Sequence, residues 1–203
     1  MRTTLVLAVV LGAALIVGCG DGEEKGASPP EAAGLTPADL LAELPELVIT
    51  ADDVSAEFVS AGSGAVPNEV VAAGDPFPEQ RLQELEETGR VGGHQVVFEK
   101  DQAVISAVLS VYETAEGAQE SLDLGVRFGA GAKATPVDAP DVGLPGAAWE
   151  IEEQTDSGLR GYVMLARKGR INVSVSFGDV DGAGRGDVEE LLRTQIARLG
   201  DLE

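Results

Sequence analysis

Four carboxylates in a glycine-rich segment near the C-terminus have a spacing that suits a hard metal ion. They are Asp179, Asp181, Asp187 and Glu190. They occupy positions 1, 3, 9 and 12 of a twelve-residue calcium-type loop, with Gly184 at the central turn. The pattern is incomplete, because Ala183 at position 5 has no side-chain oxygen. A structural role competes with the metal: Asp187 would cap a following helix, with Glu190 completing a capping box. We therefore predict no metal, and keep this loop as a calcium alternative.

His94 is the only histidine, so a Ser-His-Asp or Cys-His catalytic set would have to use it. It falls in an alternating segment on the same side as Val96 and Phe98, which is typical of a structural, hydrogen-bonded histidine. No GxSxG, GxGxxG or GxxxxGK[ST] motif is present. These observations predict no catalytic residues, no cofactor and no enzymatic activity.

Cys19 is the only cysteine, and it follows an apolar run from Leu5 to Val17 that Arg2 precedes. A run of about 13 residues suits a signal-peptide core and is too short to span a bilayer. Residues 16–19, Ile-Val-Gly-Cys, resemble the bacterial lipobox. This resemblance implies cleavage before Cys19 and acylation of its thiol and amino group, and two or three acyl chains anchor a protein stably. The alternatives are an ordinary cleaved signal peptide and a short buried helix.

Three segments of different composition are predicted: a lipoprotein signal peptide at 1–18, a flexible tether at 19–34 and a single domain at 35–203. The chain has 14 Lys and Arg against 35 Asp and Glu, a formal net charge of −21 at pH 7. Nucleic acid is therefore excluded as a partner, because its binding requires cationic side chains. Adhesion to anionic lipid is disfavoured too, so the lipid at Cys19 would hold the domain to the extracytoplasmic side of the cell membrane.

Apolar residues recur with a period of two in five segments, which predicts strands. These are Val91–Glu99, Ala103–Val111, Ala147–Ile151, Leu159–Arg167 and Ile171–Phe177. Helical spacing and capping residues predict four helices. These are Pro37–Leu44, Pro78–Thr88, Ala115–Phe128 and Val188–Leu199. Pro45 is expected to stop the first helix, and Glu46–Thr50 to form a short strand.

The order of these elements predicts an α+β fold. Short turns join most of the strands, so the sheet should be mainly antiparallel, with about five strands. Helices should cover one face of it. The segments 56–76 and 129–146 are rich in Gly and Pro, and only a turn or two of helix is expected in them, at Asn68–Ala73.

Three sequence runs, Gly89–His94, Ser106–Tyr112 and Thr114–Ala118, resemble a region of uncharacterised bacterial lipoproteins. The order of elements over residues 46–200 is similar to the PsbP/Mog1-like α+β fold of surface lipoproteins and sensor-type extracytoplasmic domains. This resemblance implies a place in the cell envelope and a binding, accessory or sensor role. It supplies no catalytic residues.

The sequence therefore predicts a lipid-anchored extracytoplasmic binding or accessory domain. Its ligand is a protein partner, a lipid or a small molecule. Two other classes stay open: an envelope hydrolase that uses carboxylates, and an oligomerising structural component. A cleft holding two carboxylates from separate strands would favour the first, and a large exposed apolar patch the second.

Overall fold

The computed structural model describes residues 35–129, 134–151 and 160–200, with the backbone alone for 126–129. Cys19, the predicted signal peptide and the predicted tether lie outside these ranges. The helices are α1 Pro37–Leu47, α2 Asn68–Ala73, α3 Pro78–Glu87, α4 Ala115–Gly129 and α5 Arg185–Arg198, with a 3-10 helix at Ala51–Asp53. The strands are β1 Val59–Ala65, β2 Arg90–Lys100, β3 Ala103–Tyr112, β4 Ala134–Val137, β5 Gly146–Ile151, β6 Arg160–Lys168 and β7 Ile171–Asp179.

All seven strands join one antiparallel sheet in the order β1-β2-β3-β7-β6-β5-β4. The α+β prediction is confirmed, but the expected number of about five strands was wrong. The two strands that the sequence did not indicate are the edges, β1 and β4. Strand β1 has no apolar side chain larger than alanine after Val59, and β4 has four residues that include Pro136. Strand β1 shows no apolar alternation because all seven of its residues are exposed, so neither of its faces is packed on a core.

One face of the sheet, here called the apolar face, carries the main core. Its central residues come from β3, β6 and β7 and are almost fully buried; they are Ala107, Leu109, Val173, Val175, Met164 and Ala166. Helices α1 and α5 pack on this face through leucines such as Leu44 and Leu192, both 0% exposed. Burial of this apolar area is the main favourable contribution to folding.

The opposite face, here called the polar face, also carries helices, so the prediction of helices on one face was wrong. Asn172 and Tyr112 project from it and bond to Ala118 and Ser121 of α4. Helices α2 and α3 pack against β2 on the same side. The error has a physical reason: the serines of β3 and β7 suit solvent, and the bonds that Tyr112 and Asn172 make to α4 join distant residues, so an apolar pattern does not reveal them.

The helix ends confirm some capping predictions and correct others. Thr36 caps α1 and forms a capping box with Asp39, which lowers the pKa of that carboxyl through its hydrogen bonds. Pro45 does not end α1, which runs on to Leu47 and leaves no strand at Glu46–Thr50. The Val48 N–H still bonds to the Leu44 carbonyl at 3.0 Å, so one missing donor in the last turn is tolerated.

Candidate functional site

The layer between the polar face and helices α2, α3 and α4 combines hydrogen bonds with buried apolar side chains such as Trp149 and Leu122, each 3% exposed; we call it the polar layer. The Tyr112 hydroxyl, on a residue only 3% exposed, lies 2.6 Å from the Ser121 hydroxyl of α4. The Asn172 amide donates to the Ala118 carbonyl at 2.9 Å. Such bonds position a helix more specifically than apolar contact does, because each buried donor needs its own acceptor.

Arg90, the first residue of β2, is the charged centre of the polar layer. Its Nε donates to Ser110 Oγ at 3.2 Å, its Nη1 to Asn68 Oδ1 at 2.7 Å and its Nη2 to the Val66 carbonyl at 3.1 Å. Asn68 also donates to the Arg90 carbonyl at 2.8 Å. The guanidinium therefore joins β2, β3 and the segment between β1 and α2.

Arg90 is buried without a carboxylate partner. The residue is 5% exposed, and within the described ranges none of the ion pairs includes it. Burial is the main cause of the lowered pKa of Arg90; the nearby charge of Arg81 adds to the lowering, while Tyr112 acts against it. A buried cation is costly unless it is paired, and this one stands uncompensated in a chain with 35 acidic residues.

Gly93 makes room for this guanidinium. A Cβ at position 93 would lie 2.6 Å from Arg90 Nη2 and 2.5 Å from the Leu109 carbonyl oxygen. Both distances are below normal contact, and the second involves backbone that cannot rotate away. The glycine therefore lets the Arg90 side chain lie across the start of the hairpin, above β3.

Buried polar atoms without a partner occur beside Arg90, in the unit formed by α2 and α3. Asp75 is 6% exposed and uses Oδ1 to accept from the Phe77 N–H at 2.8 Å, while its Oδ2 has no partner among the described residues. The Nε of Arg81 also has no partner among the described residues, although the Nη1 of Arg81 bonds to Glu84 at 3.1 Å. Unsatisfied buried groups are rare in native proteins, and water or a ligand is one way to satisfy them.

The chemistry of this corner is that of anion recognition. A guanidinium presents several N–H donors in one plane and receives carboxylate or phosphate groups in a two-point contact. Arg81 is the more accessible of the two, with 21% of its side chain exposed, and Arg90 lies buried nearby.

His94 lies on the other side of β2 from the Arg90 side chain, and its environment is partly the one predicted. Its register partner in β3 is the core residue Leu109, and its Nε2 lies 2.8 Å from Ser63 Oγ of β1. Burial lowers the pKa of His94, which favours the neutral ring. A Ser-His contact is the first half of a hydrolytic triad, but within the described ranges no carboxylate hydrogen-bonds to this ring, and a triad requires that orienting partner.

Of the four acidic residues of the calcium alternative, only Asp181 lies in the connection between β7 and α5, whereas Asp187 and Glu190 are in α5 itself. Asp179 ends β7, and its Oδ1 accepts from the Asp181 N–H at 2.9 Å. Helix α5 begins at Arg185 with Gly184 as N-cap, so Asp187 lies in the first turn and is not the cap that the sequence indicated. Within residues 35–129, 134–151 and 160–200, no group of three His, Cys, Asp or Glu side chains is arranged to hold a metal ion.

A shallow depression of about 320 Å³ on α4 differs from the Arg90 corner in charge. Its lining residues are Glu116, Gln119, Glu120, Asp123 and Leu124. Gln119 is already engaged, since its Oε1 accepts from Arg167 Nε at 2.8 Å. The remaining polar groups are carboxylates of a solvated helix face, with no cation for an anionic ligand.

Sequence reasoning missed the role of Arg90. A clue exists in the spacing: an arginine opens the strand, and the next three residues are Val91, Gly92 and Gly93, which have no polar side chain. What α2 contributes at Asn68 is not readable from this spacing, because the contact joins residues 22 positions apart.

No family model matches the chain, and no curated protein matches it either. A comparison with solved structures finds similarity to the crystal structure of the extracellular domain of PknH from Mycobacterium tuberculosis. The TM-score is 0.59 at 8% sequence identity, over 78% of this chain and 95% of that one. At this identity the similarity establishes a shared fold. Among the described residues, no helix is both long and apolar enough to cross a membrane.

Proposed function

We propose that this chain is a lipid-anchored binding or accessory domain on the extracytoplasmic side of the cell membrane, and that its ligand carries a carboxylate or phosphate group. The observation that carries the ligand class is the buried Arg90, which has only neutral hydrogen-bond partners. Arg81 is the first contact for the ligand, and Arg90 behind it supplies positive potential. The exposed part of the Arg81 side chain, 21% of its surface, is where that contact would be made, since its Nε is itself buried.

The location rests on two independent supports. The run that ends at Cys19 resembles a lipobox, and the fold is shared with a domain described as extracellular. Labelling of the expressed full-length chain with a palmitate analogue tests the anchor. We expect label that disappears in Cys19→Ala, and protease accessibility of the domain from the outer side of intact cells. Label retained in Cys19→Ala would contradict anchoring at this residue.

The ligand class is tested on the full-length protein in detergent by thermal unfolding with inorganic phosphate and with citrate. A ligand present at about 100 times its dissociation constant adds about 2.7 kcal/mol to the free energy of unfolding. We expect such an upward shift for the parent protein and its loss in Arg81→Gln. Arg193→Gln is the matched control, because Arg193 is an arginine with a 52% exposed side chain on α5. Equal shifts in both variants would refute the Arg81 contact.

A hydrolase is the second candidate, and the Ser63–His94 contact at 2.8 Å is the observation that favours it. A fluorophosphonate probe labels serines that an adjacent base activates. Since no orienting carboxylate bonds to His94 in the described part of the chain, we expect no labelling of Ser63. Stoichiometric label that is lost in both Ser63→Ala and His94→Gln would replace the binding proposal with an enzymatic one.

A further inference from the structure

Strand β1 is an open edge of the sheet. It is the first strand in the sheet order and pairs with β2 alone. All seven of its residues are exposed, and Val59 is 65% exposed. At Gly62 and Gly64 an added Cβ would meet no atom within 4 Å. Nothing in the described part of the chain covers this edge.

The backbone groups that face the open side can be assigned from the register. The Val66 N–H donates to the Gly93 carbonyl at 2.8 Å, and Ala65 is opposite His94. In an antiparallel pair, hydrogen-bonded and non-hydrogen-bonded positions alternate along the strand. Gly64 therefore directs its N–H and carbonyl to β2, whereas Ser63 and Ala65 direct theirs to the open edge.

This edge lacks the protection that sheet edges ordinarily carry. Proteins block such edges with charged side chains, proline or a covering element. The sequence of β1, VSAGSGA, has no charge and no proline, and its one irregularity is a register shift between Ser60 and Gly62. The opposite edge, β4, is only four residues long and contains Pro136.

Charge at the two ends of β1 indicates what pairs with it. Glu57 precedes the strand with 68% of its side chain exposed and pairs with Lys100, Glu99 lies opposite Val59, and the exposed Glu69 follows the strand, so three carboxylates and one lysine lie at the two ends. A second copy paired antiparallel would bring the Glu57 end of one chain to the Glu69 end of the other. Each copy would also carry the full net charge of −21. A basic partner avoids both repulsions.

We propose that β1 is a docking edge for an extended peptide segment of another protein, with an uncharged, β-branched centre and basic residues on both sides. The segment adds an eighth strand to the sheet, and its backbone bonds to the outward groups of Ser63 and Ala65. Strand addition obtains affinity from main-chain hydrogen bonds and specificity from the flanking side chains. This surface uses none of the Arg81 or Arg90 side-chain atoms, although it adjoins their corner at Val66, whose carbonyl accepts from Arg90 Nη2 at 3.1 Å.

The probe is a fluorescent peptide with an alternating Val/Thr centre and Lys on both sides, titrated by anisotropy against the full-length protein in detergent. A peptide with the same centre and Glu on both sides is its counterpart. We expect the Lys peptide to bind at least tenfold more tightly, with affinity that falls as salt is added, because screening weakens contacts between exposed charges.

Ala65→Pro is the decisive variant, since proline removes the outward N–H and leaves the β1–β2 bonds in place. We expect at least a tenfold loss of affinity for the Lys peptide, whereas Ala65→Ser, which keeps the N–H, binds like the parent. If Ala65→Pro does not fold, Gly62→Lys and Gly62→Glu replace it, because the site has space for both. Lysine there should weaken binding of the Lys peptide, and glutamate should not.

Equal affinity in Ala65→Pro and Ala65→Ser, or equal binding of the Lys and Glu peptides, would overturn the proposal. Sedimentation of the unliganded protein tests whether a second copy of the chain, instead of a peptide, pairs with β1. A dimer that Ala65→Pro dissociates would assign the edge to a second copy, which also overturns the proposal. Phosphate-dependent stabilisation does not depend on β1, so failure here is distinguishable from failure of the anion site.

Discussion

The two faces of the sheet are packed by different interactions, although the same seven strands form both. On the apolar face, α1 and α5 bury leucine and valine side chains, of which Leu109 and Val175 are 0% exposed. On the polar face, Tyr112 and Asn172 bond to α4 and Arg90 bonds to the α2 segment, and Trp149 and Val163 are buried there as well. The comparison teaches that the apolar face carries the larger apolar cluster, whereas the polar face combines apolar burial with directed hydrogen bonds and a buried cation.

The largest effect should come from a core deletion on the apolar face. Leu109→Ala removes a fully buried side chain from the centre of β3, and such changes cost about 2–5 kcal/mol. Val108→Ala is the matched control, because Val108 is the next residue, half-buried on the polar face. Urea unfolding should show a much smaller loss for Val108→Ala. Equal losses would mean that the two faces contribute alike.

Gln195 is a polar residue buried on the apolar side, so its replacement tests how much hydrogen bonds contribute there. It is 0% exposed on α5; its Nε2 donates to the Leu47 carbonyl at 2.8 Å and its Oε1 accepts from the Ile49 N–H at 2.9 Å. Gln195→Leu keeps the volume but leaves two buried backbone groups unpaired, at about 1–3 kcal/mol each. We expect a loss of about 2–4 kcal/mol in urea unfolding. A stabilised Gln195→Leu would show that apolar packing outweighs these bonds.

Arg90→Met tests the charge on the polar face. The substitution removes three hydrogen bonds and leaves the Val66 carbonyl and Asn68 Oδ1 without their Arg90 partner. It also removes the free-energy cost of burying a cation. Because these terms oppose each other, we expect a net loss of only about 1–2 kcal/mol, within the range for bonds to charged groups. Chemical denaturation measures it, with Arg170→Met as the control on the β6–β7 turn. Phosphate-dependent stabilisation should also decrease in Arg90→Met and stay unchanged in Arg170→Met.

The smallest effect should be a pH dependence from His94. Burial lowers its pKa in the folded state below the ordinary 6.5, so the unfolded chain binds the proton more readily. The stability it contributes is therefore full above pH 6.5 and is lost as the pH falls through the folded-state pKa. His94→Gln should flatten unfolding free energies measured across this window, whereas Ser63→Ala should keep the slope. An unchanged slope in His94→Gln would assign the dependence to another group.

Most interior elements could be predicted from the sequence. Apolar residues with a period of two predict the hairpin of β2 and β3 and the strands β5 to β7, and a period of 3.6 predicts the helices α3, α4 and α5. The capping pattern predicts Thr36 as the N-cap of α1. The edges β1 and β4 could not be predicted, because neither strand has an apolar alternation to detect. The C-terminal helix begins earlier than indicated, at Arg185, since Gly184 has no side chain to mark the cap.

The candidate site was much less predictable. An arginine is ordinarily a surface residue, and the burial of Arg90 depends on two other parts of the chain: Val66 and Asn68 in the segment after β1, and Ser110 in β3. The four acidic residues that were kept as a calcium alternative have the right oxygen chemistry, but the structure forms no three-residue group from them in its described part.

By itself, the sequence determined the α+β class and the places of the central strands along the chain, because both depend on local periodicity; the lipid anchor at Cys19 stays a prediction from a contiguous motif. Only the tertiary structure decided that helices cover both faces, that β1 lies open at the edge and that a cation is buried beside α2. These features arise from contacts between residues far apart in the chain, for which neither hydrophobic period nor spacing carries a signal.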